Sequence, residues 1–275
     1  MKEDSPQPDV KAVYEIEGDR VMPSWYAQGP WNPQHQHGGA ACALLARTLE
    51  QVPCADETMR FKRIHFDLMR GVPIAPLRTT TRIVRDGRRI QLVDVSLFDG
   101  DTEVARASGL RMRIEPVNPE ANLTTDEPLP FTPGEGASPT IRVAELPGFL
   151  HALNFVRADG EPDGKSSRTV WIRLHLPIVA GEETTPLVRL AATSDYTSGI
   201  ASALDFQRFQ SINPDVTLQI HRYPESDWIA LRGRSEMQTD GTGQSESELY
   251  DERGRIGRGL TSQLVFRVSP ASPSG

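Results

Sequence analysis

The run His35-Gln36-His37-Gly38-Gly39 and three separate residues, Asp195, Thr217 and Gln263, are the positions best suited to chemistry. Two histidines at i and i+2 suggest metal ligands, but no third or fourth ligand follows at a recognisable zinc spacing, so no metal is expected. The glycines have a clearer use. Without Cβ they let a backbone approach a ligand at a helix N-terminus, where free N–H groups suit a carbonyl oxygen or a phosphate. Asp195 suits a general base or water anchor, and equally an N-cap of a helix after it. Thr217 alone reads as an ordinary strand threonine. Gln263 interrupts the approach to Leu264-Val265-Phe266, where an inward amide needs partners. Cys42 reads as a small buried thiol, not a nucleophile. No Gly-x-Ser-x-Gly elbow offers a serine instead. Arg82, Arg85, Arg88 and Arg89 suit either a phosphate or solvent.

Elements must hold these residues in place. Residues of about 38–51 are apolar nearly all round, which predicts a helix inside the fold. Alternating segments at about 61–70, 77–86, 88–98 and 102–113 predict strands after it, separated by turn dipeptides such as Asp86-Gly87 and Asp99-Gly100. The second half repeats the pattern: a strand at about 168–179, a helix at about 196–210, then strands at about 215–223, 227–237, 242–250 and 254–267. Strands at about 11–22 and about 148–157 open the two halves. Leu97-Phe98-Asp99 is matched by Leu249-Tyr250-Asp251, and Val104-Ala105-Arg106-Ala107 by Ile256-Gly257-Arg258-Gly259, always 152 residues later. Phe66 to Arg70 fall on Leu218 to Arg222 at the same offset. A constant offset of this size indicates duplication of a small domain. Residues 115–140 hold six of the 22 prolines and little apolar periodicity, which predicts a linker between units at 11–114 and 141–268.

Composition narrows the function classes. The 275 residues allow one large domain or two ordinary ones, at roughly 100–200 residues each. With 37 acids against 30 bases the net charge is −7, which argues against nucleic-acid binding by bulk charge. Two cysteines cannot build a disulfide scaffold for this length, and no apolar run approaches the roughly 20 residues of a membrane span. The first residues lack the apolar centre of a signal peptide, so a cytoplasmic location is expected.

One buried helix followed by an antiparallel meander, twice over, resembles the acyl-CoA thioesterase II family. Pro33 to Ala40 resemble the glycine-pair entry to that family's first helix. Ser194-Asp195-Tyr196, Asn213-Pro214-Asp215-Val216-Thr217, His221-Arg222 and Thr261-Ser262-Gln263 carry the rest, over roughly residues 15–268 less the linker. Val216, between Asp215 and Thr217, departs from the pattern of the longer bacterial members. The resemblance implies an α+β tandem (double) hotdog with two antiparallel sheets, each wrapped around a central helix. It implies hydrolysis of an acyl-CoA to a carboxylic acid and CoA by direct water attack, within fatty-acid metabolism. No cofactor and no covalent acyl-enzyme are expected. The family's catalytic Asp, Thr and Gln fall on Asp195, Thr217 and Gln263. His37, Gly38 and Gly39 would bind substrate, with Gly39 as an oxyanion donor. A homodimer is a further expectation, with acyl-CoA as partner and neither nucleic acid nor membrane. Two alternatives stay open: a non-catalytic acyl-CoA binding module, and a hotdog hydratase or dehydratase acting on acyl thioesters.

Overall fold

Helix α1 (Gly38–Gln51) forms over the apolar run and buries nearly its whole surface, with Ala40 to Ala46 inaccessible to solvent. His37 holds its N-cap position in extended backbone. Its far end is closed by a buried arginine from a neighbouring strand. Arg111 donates to the carbonyls of Leu49, Glu50 and Val52 while its guanidinium lies 4.4 Å from the centre of the Phe61 ring. The last carbonyls of a helix have no partner within it, and Arg111 supplies one. The computed structural model describes residues 11–54, 56–116, 127–133, 146–158, 168–200, 204 and 208–267.

The first-half strands are β1 (Tyr14–Glu17), β2 (Arg20–Pro23), β3 (Met59–Asp67), β4 (Leu77–Asp86), β5 (Ile90–Asp99) and β6 (Thr102–Arg113). The second-half strands are β7 (Leu153–Arg157), β8 (Arg168–Leu174), β9 (Phe209–Ile212), β10 (Asp215–Ile220), β11 (Trp228–Met237), β12 (Thr242–Asp251) and β13 (Gly254–Arg267). The span expected as one strand at 11–22 is a hairpin of β1 and β2, turned at Gly18, whose φ of 64° suits glycine.

The strand order is β1-β2-β4-β5-β6-β3-β10-β13-β12-β11-β8-β7, with β9 paired to β13. Read outward from the β3–β10 seam, the two halves match strand for strand. The halves therefore share one continuous antiparallel sheet, in which the two expected sheets are joined edge to edge at β3 and β10. At the seam His65 stands opposite Thr217. These two are 152 residues apart, so each faces its own duplicate and a pseudo-two-fold axis passes between them.

The second half's long helix is not at 196–210. It is α2 (Pro186–Ser194), which ends where that helix was expected to begin. Thr185 caps it through the Val188 N–H, and Pro186 stands at its first position, a pairing that favours a helix start. The four-residue α3 (Thr197–Ile200) follows, and 201–203 and 205–207 lie outside the described residues. Helices α1 and α2 pack antiparallel and touch at both ends. At one end Asp195 reaches the start of α1. At the other, the Thr185 hydroxyl donates to Glu50, and Arg47 pairs with Glu182.

Of the expected linker, 117–126 and 134–140 lie outside the described residues. Residues 127–133 pack on the outer face of the second half. Leu129 is buried with Trp171, Trp228 and Tyr250, and the Trp171 indole donates to the Phe131 carbonyl at 3.1 Å. Proline content hid this packing from the sequence reading. Among the described residues no helix is long and apolar enough to cross a membrane.

Candidate active site

Asp195 follows the last residue of α2 and is 7% exposed. Its expected alternative role, capping the helix after it, gives way to a different contact. The carboxylate crosses to the other half, where Oδ2 accepts the Gly39 N–H at 2.9 Å. That places a negative charge at the positive end of α1. His37 Nδ1 lies 3.0 Å from the same oxygen, and the Asn213 amide donates to Oδ1. Burial alone would push the Asp195 pKa up. The bonds and charge from His37, with Asn213 and Gly39, outweigh it and hold the carboxyl below its ordinary value.

Gly38 is required by this arrangement. A Cβ there would meet both carboxylate oxygens of Asp195 at 2.7 Å. Gly38→Ala is therefore expected to displace the Asp195 side chain and lower turnover by about 10²-fold, the scale of an ångström of misplacement. A rate assay beside a melting curve checks it. A Cβ on Gly39 would lie 2.6 Å from the Ala192 carbonyl, so this glycine permits the close approach of the two helices.

The Gly39 N–H, expected to hold an oxyanion, is already bound to Asp195. The N–H groups of Ala40 and Ala41 are taken by the His37 carbonyl. Gly38, at the first helical position, has no carbonyl four residues back within the helix, and it lines a pocket together with Asp195.

The expected trio is brought together only in part. Gln263 is buried on the inner face of β13, with its carbonyl oxygen on the Ser245 hydroxyl at 2.8 Å and its amide on the Ser198 carbonyl at 3.3 Å. Ser198 in turn donates to the Asp195 main-chain carbonyl at 3.1 Å, so Gln263 is linked through Ser198 to the Asp195 backbone and not to its carboxylate. Thr217 is elsewhere. Val216 and Leu218 point into the core, so strand alternation turns Thr217 to the outer face, where it meets His65 Nδ1 at 2.7 Å. Asn213, just before β10, occupies the place beside Asp195. Nothing in its residue type marks Asn213 for a role; its one signal is position, since a residue before proline is held extended at the mouth of a strand.

A pocket of about 340 Å³ opens onto this cluster. His35, His37, Gly38, Asp195 and Asn213 line its floor side, and Trp31, Met69 and Arg70 belong to its lining as well. Among the described residues no group of three or more His, Cys, Asp or Glu is placed to hold a metal ion. Cys42 is buried in α1, and burial, with the charge of Asp195 adding to it, pushes its thiol pKa well up. It is poorly placed to act as a thiolate.

The family profile of the acyl-CoA thioesterase C-terminal domain matches residues 123–265, and that of the N-terminal domain matches 27–112. This chain belongs to the acyl-CoA thioesterase family. Solved structures agree on the fold of this family member. An acyl-CoA thioesterase II from Mycobacterium marinum superposes with a TM-score of 0.63 at 15% identity, covering 94% of this chain and 96% of that one. A putative thioesterase II from Thermobifida fusca gives 0.67 at 17%, with 94% and 96% covered. A conserved hot dog fold protein of unknown function from Alicyclobacillus acidocaldarius gives 0.66 at 15%, with the same coverage. No curated protein matches the chain in sequence. The chain thus has a hotdog fold, and its large antiparallel sheet with few helices fits that description.

Proposed function

We propose that this chain hydrolyses an acyl-CoA to a free carboxylic acid and CoA by attack of water on the thioester, as a double hotdog of units at 11–114 and 141–268 joined by 115–140. The observation that carries the reading is a nearly buried Asp195, its carboxyl held below the ordinary value, on a pocket also lined by Gly38, the first residue of α1. A thioester carbonyl seated over Gly38 would place its developing oxyanion at a helix N-terminus, where fixed dipoles stabilise charge without reorganising. Asp195 and Asn213 flank that position. Gln263 supports them through Ser198, and the place expected for Thr217 belongs to Asn213 in this reading. The unreactive setting of Cys42 supports direct hydrolysis over an acyl-cysteine intermediate. A cytoplasmic homodimer working on fatty acyl-CoA completes the proposal, as the family resemblance implies.

A second reading has one observation in its favour. The His37–Asp195 pair, contributed by opposite halves, is the acid–base pairing that a hydratase or dehydratase of acyl thioesters requires. One experiment separates the two. The protein is incubated with saturated and 2-enoyl-CoAs of graded chain length while free thiol and enoyl-thioester absorbance are followed. Thiol release from at least one chain length is expected. Loss of enoyl absorbance without thiol, or no thiol from any substrate, overturns hydrolysis.

A further inference from the structure

We propose that His37, oriented by Asp195, is the base that deprotonates the attacking water. This deepens the hydrolysis reading and rests on it. Nδ1 of His37 and Oδ2 of Asp195 are 3.0 Å apart, and the Gly39 N–H lies 3.0 Å from the first and 2.9 Å from the second. Nδ1 cannot both accept from Gly39 and donate to Asp195. If Nδ1 were bare, two acceptors would face each other at hydrogen-bond distance beside a carboxylate. Placing the neutral ring's proton on Nδ1 removes that repulsion. Nδ1–H then donates to Asp195, and the Gly39 N–H goes to the carboxylate. The tautomer is fixed by its partner, as a carboxylate behind an imidazole ordinarily fixes it.

The lone pair is then on Nε2. Nε2 has no hydrogen-bond partner among the described residues, and His37 lines the pocket. The ring is held flat against Tyr196, with centroids 5.0 Å apart and planes at 26°, and against Phe149 at 5.3 Å. Asp195 and Tyr196, after α2, touch the ring, Cys42 of α1 lies within the field of Asp195, and His35 and Arg70 line the same pocket. Asp195 itself is badly placed as the base. Its oxygens already accept from Gly39, Asn213 and His37, and those bonds weaken its pull on a further proton.

The step balances. Nε2 takes a proton from water as the water oxygen bonds to the thioester carbonyl carbon. The tetrahedral adduct collapses by breaking the carbon–sulfur bond, and the proton on Nε2 passes to the departing CoA sulfur. Acid, CoA thiol and neutral His37 remain.

Two variants test the assignment. His37→Asn keeps a strong N-cap residue for α1 but has no imidazole. It is expected to melt near the wild type and to lose about 10²–10⁴-fold in kcat, the usual worth of a positioned acid–base group. His37→Ala opens a slot between Tyr196 and Phe149, and added imidazole is expected to restore part of its rate. A His37→Asn enzyme within tenfold of wild type, or a folded His37→Ala enzyme that imidazole does not accelerate, overturns the proposal. Failure of the wild type to release CoA would instead sink the hydrolysis reading. The tautomer then remains testable by 15N NMR of the wild type: a proton on Nδ1 is expected, and a proton on Nε2 overturns it.

Discussion

Asp195→Asn is expected to release CoA about 10²–10⁴ times more slowly than the wild type, with the fold retained. His37, Gly39 and Asn213 all meet at this carboxylate. An Asn there offers one acceptor and one donor where the site presents three donors. Whichever way the amide turns, a donor is set against a donor, and His37 loses the charge that fixes its tautomer. The substitution also removes the anion at the start of α1, worth up to about 2 kcal/mol in a buried setting. The sign of the pH effect follows from the depressed Asp195 pKa. Its ionised form stabilises the folded state fully above the ordinary carboxylate pKa, about 3.9, and that contribution is lost as pH falls through the lower folded value. Denaturant unfolding of wild type and variant should therefore differ most near neutrality and converge in acid. Equal turnover of the two proteins would remove Asp195 from the mechanism.

Arg222→Ala is expected to cost about 3–5 kcal/mol of stability, because it leaves a buried carboxylate without its counter-charge. The Asp251 side chain is fully inaccessible, and Arg222 holds both of its oxygens at 2.6 Å. Burial works to raise the Asp251 pKa, and the Arg222 bond and charge, with the Glu225 and Arg253 N–H groups, hold it low instead. Without Arg222 the carboxyl folds more easily protonated. The deficit should then shrink as pH is lowered toward 4, where the unfolded carboxyl also takes up a proton. The duplicate positions supply the control. Arg70 and Asp99 stand 152 residues earlier, both are exposed, and no ion pair joins them among the described residues. Arg70→Ala should change stability by no more than about 0.5 kcal/mol. Urea unfolding of both variants at neutral and acid pH decides the matter, and a deficit for Arg222→Ala no larger than that of the control would refute it.

The meander was legible because alternation survives in single segments. The four strands after α1 and the four from β10 to β13 fall within a few residues of where the pattern put them. The duplication was legible because its offset is constant. The start of α2 could have been read from Thr185-Pro186, but no element was expected between about 179 and 196. Thr217 was also correctable in principle: Val216 and Leu218 are the apolar neighbours, so the threonine between them must face outward. Asn213 and the His37–Asp195 contact were not legible. Gly39 and Asp195 are separated by 156 residues, and only the antiparallel packing of α1 on α2 brings them together. No local pattern encodes such a meeting.

The two helix-end junctions are the duplicated feature with most to say about stoichiometry. Duplication gives each end of the helix pair a capping side chain and a carboxylate: His37 with Asp195 at one, Thr185 with Glu50 at the other. Only the first has an imidazole and a pocket of about 340 Å³. The second has a hydroxyl, which cannot take up a further proton near neutral pH, beside the Arg47–Glu182 pair and a pocket of about 170 Å³. In the proposed reading only the first end is a reaction centre, so titration with acyl-CoA is expected to saturate at one equivalent per chain, although the architecture is built from two halves.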